Sequence, residues 1–172
     1  MRRLAVVRHA KAQRASPRGD HGRELSERGR AQADVLRSWT RPGGPLADLR
    51  GTVVVSDAAR TLETFERGLA GTPCCVRAVV DPSLYNGDRT VRTDDVLAAL
   101  AAADPGRGDL LFVGHSPTVH ELVCDLADDP EEASDALSEG FPLCGAAVLA
   151  FDDGIARRAG VLRALVAPPR GD

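Results

Sequence analysis

No stretch of the chain approaches the run of about 20 apolar residues that a membrane-spanning helix requires, so no such span is expected. The first apolar run starts within three residues of Met1, which leaves no room for a secretory signal peptide. A cytoplasmic location is the resulting expectation. Positive charge is not in excess: the formal net charge is −3, so the broad positive field of a nucleic-acid binder is missing. Cysteine is scarce, and Cys74-Cys75, Cys124 and Cys144 form neither a CxxC pair nor a metal-ligand spacing. They read as buried free thiols in a reducing compartment, with a redox role for Cys74-Cys75 a minor alternative. The chain shows neither a linker nor a repeat, and 172 residues suit one domain able to bury a substantial core. Its bias toward Ala, Arg, Gly and Asp excludes nothing.

Against these absences stands Leu4-Ala5-Val6-Val7-Arg8-His9-Ala10-Lys11, an apolar run that ends in an Arg-His pair and then turns polar. In an α/β sheet, ligands bind beyond the carboxyl ends of the strands, where such a pair would sit. Arg supplies a planar fork of donors suited to phosphate, and His is a nucleophile or acid-base group near neutral pH. An isolated pair could simply cap a strand with solvated groups, but two further runs repeat the arrangement. Val53-Val54-Val55-Ser56 reads as a buried strand, and Asp57-Ala58-Ala59-Arg60-Thr61-Leu62-Glu63-Thr64 as the helix start that follows it. Leu110-Leu111-Phe112-Val113-Gly114-His115-Ser116-Pro117 reads as a third strand ending in a His, with Ser116 as N-cap and Pro117 at the first helical position. Three such exits point to phosphoryl chemistry.

Four blocks occur in order along most of the chain. They are Arg8-His9-Ala10-Lys11-Ala12; Asp20, Arg23, Leu25, Ser26 and Gly29; Ser56 with Arg60-Thr61-Leu62-Glu63-Thr64; and Gly114-His115-Ser116. Together they resemble the histidine phosphatase superfamily and, within it, the short bacterial phosphohistidine phosphatases of the SixA type, in which Ala10 often replaces the superfamily's Gly. The resemblance implies an α/β fold over residues 1–172 as a single domain: a three-layer α/β/α sandwich, phosphoglycerate mutase-like, with a mostly parallel sheet and one antiparallel strand. It implies a phosphatase that uses no cofactor and acts on a phosphorylated protein, such as a histidine phosphotransfer or phosphocarrier protein.

The residues suggest the same mechanism on their own. His9 would attack phosphorus through an unprotonated ring nitrogen, forming a phosphohistidine that water then hydrolyses. Arg8, Arg60 and His115, with Arg23 as a fourth, would surround the phosphoryl oxygens and take the place of a metal ion. Many superfamily members carry a Glu that protonates an alkoxide leaving group. It has no obvious counterpart in Leu84-Tyr85-Asn86-Gly87-Asp88-Arg89, a stretch similar to the Leu-Tyr segment of SixA-type proteins. Asp20, Asp88 and Tyr85 are the candidate general acids. A protonated imidazole leaves more readily than an alcohol, so the missing Glu favours a phosphohistidine substrate.

The connections are short, with one moderate loop between His9 and the Ser26 helix and a brief one from Asp81 to Asp94. A shallow, open, cationic pocket is expected, one that admits a side chain projecting from a protein surface. Nucleic acid and membrane are not expected partners, and a monomer is favoured. The alternatives are a phosphatase or mutase of small phosphate esters on the same scaffold, and a phosphate-binding protein without catalysis.

Elsewhere the sequence predicts a Ser26-capped helix through about Trp39 with Ala31, Val35, Leu36 and Trp39 on its apolar face. Helices are also predicted over 61–69, over 94–103 before Asp104-Pro105-Gly106, and after His115, where Val119, Leu122, Val123 and Leu126 face the sheet. Residues 76–80 read as a strand, and Asp128-Asp129-Pro130-Glu131-Glu132 as a solvated acidic loop. Asp152-Asp153-Gly154 reads as the turn of a terminal hairpin between 146–151 and 155–166. His21 and His120 read as solvated or structural.

Overall fold

The computed structural model describes residues 1–104, 106 and 108–169. Its strands are β1 (Arg2–Arg8), β2 (Gly51–Ser56), β3 (Cys75–Asp81), β4 (Asp109–Gly114), β5 (Ala146–Phe151) and β6 (Val161–Val166). Its helices are α1 (Glu27–Ser38), α2 (Ala59–Gly68), α3 (Thr93–Ala103), α4 (Thr118–Leu126) and α5 (Pro130–Ala136), and Pro82–Leu84 forms a short 3-10 turn. The strands make one sheet in the order β3-β2-β4-β1-β5-β6. Strands β1 to β4 are mutually parallel, and β5 pairs antiparallel with both β1 and β6. One strand therefore runs against the rest, as the resemblance implies.

Strand residues alternate between two cores. Leu4 and Val6 of β1 join one cluster with Val96, Leu100, Val119 and Leu122, from α3 and α4. Ala5 and Val7 join the other with Ala33 and Leu36 of α1, against which Leu62 and Phe65 of α2 also pack. Helices thus cover both faces, and β1, β2, β4 and β5 are buried on both sides. That double burial is why these strands read as continuous apolar runs rather than alternating ones. Because β2, β4 and β1 are adjacent and parallel, with Arg8 opposite Gly114, their carboxyl ends open at one place.

Several local expectations need correction. The Ser26 hydroxyl caps α1 by accepting from Gly29 N, as expected, but the buried face is Gly29, Gln32, Ala33 and Leu36, while Ala31 is exposed. The reason is a close approach: a Cβ on Gly29 would lie 2.1 Å from the Lys11 carbonyl oxygen. Helix α4 begins at Thr118 with no side-chain cap, so Ser116 is not the N-cap and Pro117 is not the first helical residue; Val119 N bonds to His115 O instead. The acidic stretch is not a plain loop, because Asp129 accepts from Glu131 N and Glu132 N and starts α5 with Pro130 in its first turn. The terminal hairpin has a long connection, since residues 158–160 are tied by backbone bonds to Asp125 and Leu126 at the end of α4. Of the four thiols, Cys74 and Cys144 are buried but Cys75 and Cys124 only partly so. Helix α3 ends at Ala103 as expected, and Pro105 lies outside the described residues. No helix among the described residues is long and apolar enough to cross a membrane.

Candidate active site

The segment from His9 to Lys11 leaves the carboxyl end of β1, and all its backbone polar groups are engaged. His9 N donates to Gly114 O (3.0 Å), and His9 O accepts from Cys144 N (3.2 Å). Ala10 N donates to Thr64 Oγ1 (3.0 Å), and Lys11 N donates to Gln32 Oε1 (2.9 Å). Lys11 O accepts from both the amide and the hydroxyl of Ser26. The remaining carbonyl, Ala10 O, lies 2.8 Å from His9 Nδ1. A carbonyl can only accept, so Nδ1 carries the ring proton and Nε2 keeps its lone pair. Burial, reinforced by the positive charges of Arg60, Arg8 and Arg23, lowers the His9 imidazole to about 4 despite the bond to Ala10. The ring is therefore neutral near pH 7.

His115 follows β4, and its ring centroid lies 5.2 Å from that of His9. Its Nε2 is 2.9 Å from the hydroxyl of Ser56, at the end of β2. Burial, with repulsion from His9 and Arg60, lowers this imidazole to about 2. His115 is thus also neutral, and its ring offers a hydrogen bond rather than a positive charge. Arg8 donates to Phe141 O (2.6 Å), and Arg60, in the first turn of α2, donates to Asp20 O (2.8 Å) and Asp20 Oδ2 (3.1 Å). Three buried nitrogens at this place, Arg8 Nε, Arg60 Nε and His115 Nδ1, have no partner among the described residues. Buried polar nitrogens are ordinarily satisfied, so these leave unused hydrogen-bonding capacity on three residues that line one pocket.

A pocket of about 340 Å³ is lined by Arg8, His9, Lys11, Ala12, Arg23, Arg60, Asn86, His115, Ser116 and Leu143. Lys11 and Ser116 at its lip are exposed. The four strand-exit residues and Arg23 are thus brought together as the sequence suggests. Of the general-acid candidates, Asp20 and Tyr85 adjoin the pocket, Asp20 bonded to Arg23 and Arg60 and Tyr85 with its ring centroid 5.6 Å from that of His115, whereas Asp88 does not. Asp20 accepts from Tyr85 Oη (2.7 Å), Arg23 Nε (2.8 Å) and Arg60, and the Tyr85 bond, with the two guanidinium groups, lowers it to about 2. A carboxylate so held is ionised at neutral pH and has no proton to give. Burial and the ionised Asp20 raise the Tyr85 phenol. Asp88 is exposed and lies on a neighbouring depression with Tyr85 and Arg89 rather than in the pocket.

Sequence reasoning missed the groups that hold the site in shape. Thr64 accepts from Ala10 N and donates to Arg60 O (2.6 Å), joining the segment after β1 to the first turn of α2 through one hydroxyl. Asn86 reaches the pocket while bonding Val91 N (2.7 Å) and Thr118 Oγ1 (2.9 Å). His21, expected to be merely solvated, packs edge-on against Tyr85 with Nε2 3.0 Å from Asp57 Oδ1, a contact close in distance but not oriented as a hydrogen bond. Among the described residues no group of three or more His, Cys, Asp or Glu side chains is arranged to hold a metal ion.

No protein-family model matches the chain. An uncharacterized protein of Mycobacterium tuberculosis is 31% identical to it over 146 residues, which cover 83% of this chain and 85% of that protein. Among solved structures, a candidate phosphohistidine phosphatase SixA from Agrobacterium tumefaciens superimposes with a TM-score of 0.78 and 26% identity, covering 97% of this chain and 99% of that one. A candidate phosphohistidine phosphatase SixA from Nakamurella multipartitia gives a TM-score of 0.75 and 26% identity, over 97% and 96%. With the sheet order, the strand-exit residues and these likenesses in agreement, the chain belongs to the histidine phosphatase superfamily, in its SixA-type branch.

Proposed function

We propose that the protein is a metal-independent phosphatase that hydrolyses phosphohistidine on another protein through a phosphohistidine of its own at His9. The observation that carries this reading is the His9 ring, neutral near pH 7 and oriented by the 2.8 Å contact of Nδ1 with Ala10 O, so that Nε2 is the nucleophile. Nε2 attacks the phosphorus of a phosphohistidine protonated at its other ring nitrogen, the bond from phosphorus to the substrate's ring nitrogen breaks, and the imidazole departs neutral, keeping that proton. Water then attacks the phosphoenzyme, releasing phosphate and neutral His9.

Arg8, Arg60 and Arg23 surround the transferred group with positive charge, and His115 adds a donor. When the Ser56 hydroxyl donates to Nε2, the proton of His115 sits on Nδ1, the atom without another partner. Donors held in place before the reaction stabilise the charge that develops on the phosphoryl oxygens without reorganising. Asp20 serves as the counter-ion that aims Arg23 and Arg60, and no side chain is needed as acid for an imidazole leaving group. The Agrobacterium and Nakamurella proteins bear names that match this substrate.

The test is a substrate panel. A phosphorylated histidine phosphotransfer domain and a phosphorylated phosphocarrier protein should be hydrolysed with much higher kcat/KM than sugar phosphates or phosphoglycerates. Equal or better turnover of a small ester would replace this reading with a small-molecule phosphatase, and turnover of none would leave a phosphate-binding protein.

A further inference from the structure

Beside the catalytic pocket runs a second, larger depression of about 600 Å³. Arg28 and Gln32 of α1 form one side of it, and Pro142, Leu143, Leu165 and Val166 supply apolar lining. It is continuous with the catalytic site in two ways. Leu143 lines both cavities, and Gln32, which lines this one, bonds Lys11 N on the lip of the other. Anything that fills the catalytic pocket and extends past Leu143 therefore lies in this groove.

The charge along α1 and the preceding loop is uneven. Arg18, Arg23 and Arg30 are paired with Glu24, Asp20 and Glu63. Lys11 and Arg28 are exposed and make no side-chain hydrogen bond or ion pair among the described residues. Arg28 of α1 and Glu139, after α5, are the charged side chains lining the groove, so its positive charge lies on the α1 side, where Glu27 is exposed next to Arg28 in sequence. Arg28 in this groove and Lys11 on the lip of the adjoining catalytic pocket, beside an apolar floor, match an anionic surface with an apolar patch. Rim charges of this kind act on association more than on chemistry.

We propose that this groove is the docking site for the phosphoprotein substrate: an acidic surface flanking its phosphohistidine contacts Arg28 and Lys11 while an apolar side chain enters beside Leu143. The proposal rests on the protein-phosphohistidine reading of the catalytic pocket and adds where and by what chemistry the partner is held. The catalytic pocket, at about 340 Å³, accommodates the phosphorylated ring, whereas the groove gives the surface around that ring a place to bind.

The experiment compares a phosphorylated histidine phosphotransfer domain with free phosphohistidine as substrates for the wild type, Arg28→Glu and Ala136→Trp. Arg28 and Ala136 are exposed, and Ala136 also lines the groove, which a Trp there would fill. Each variant should raise KM for the domain by about 10-fold with little change in kcat, and leave hydrolysis of free phosphohistidine unchanged. In Arg28→Glu the salt dependence of kcat/KM for the domain should weaken. If the wild type prefers the domain but neither variant raises its KM, or both substrates suffer equally, the groove is not the docking site and the catalytic reading stands. If the wild type does not prefer the domain, both fall together. A change in sedimentation of Ala136→Trp in the absence of substrate would instead assign the groove to a second copy of this chain and overturn the proposal.

Discussion

At the scale of single residues, the account depends on a neutral imidazole inside a ring of guanidinium groups. The native His9 ring titrates near 4, against an ordinary 6.5 in the unfolded chain. Between those values only the unfolded chain binds the proton, so stability is full above pH 6.5 and declines as pH falls toward 4. The His115 imidazole, lowered from 6.5 to about 2, adds a like decline through the same window and on below it, and the depressed Asp20 carboxyl, with an ordinary value of 3.8, adds its own loss only below that window. Denaturant unfolding across pH 4 to 6.5 should show a smaller decline in His9→Gln than in the wild type. The residual decline in His9→Gln belongs to His115, and a decline equal to the wild type's would mean that His9 contributes nothing to it. Arg60→Ala should reduce kcat by about 100- to 1,000-fold, by analogy with the loss of one preorganised oxyanion donor. A reduction under tenfold would remove Arg60 from the phosphoryl site. Arg8, His9, Arg60 and His115 were legible in the sequence because each lies at or just beyond a strand's exit. Ser56, Thr64 and Asn86 were not legible as supports, because a hydroxyl or amide acquires such a role only when folding brings it across the chain, as Thr64 to Ala10 over 54 positions.

At the scale of elements, the catalytic segment after β1 is held between α1 and α2. Thr64→Val keeps the side-chain shape but leaves the buried Ala10 amide without its acceptor, which should cost about 1–3 kcal/mol of stability. Because Ala10 O orients His9, kcat should fall as well, and unchanged kcat at reduced stability would confine Thr64 to a packing role. Gly29→Ala should be at least as harmful, since the added carbon meets the Lys11 backbone and forces α1 away from the segment it supports. Thermal unfolding of the two variants, with activity measured alongside, checks both expectations. Gly29 also shows why the face of α1 was misread. Hydrophobic spacing favoured Ala31 and Val35, but a glycine contact and the Gln32 bond to Lys11 decide which side turns inward. The acidic stretch was misread in a similar way: charge suggested solvent, whereas Asp129 followed by Pro130 is a helix start.

At the scale of the whole molecule, β2, β4 and β1 bring three distant strand exits to one edge of the sheet, and the resulting pocket carries arginines and imidazoles rather than a cage of carboxylates. Turnover should therefore persist in excess EDTA, and loss of activity restored by a divalent ion would refute the metal-free mechanism. The mostly parallel sheet with one antiparallel strand was anticipated from the resemblance, but the groove beside the pocket was not, because α1, the segment before β5 and the end of β6 meet only in three dimensions. The most direct measurement of the central claim is a single-turnover reaction with a histidine phosphotransfer domain carrying a radiolabelled phosphoryl group, quenched in alkaline detergent and resolved by gel. The account predicts label on the enzyme, stable in alkali, lost in acid and mapped to His9, with neither label nor turnover in His9→Ala. Turnover at the full rate in His9→Ala, or labelling of a different residue, would contradict it.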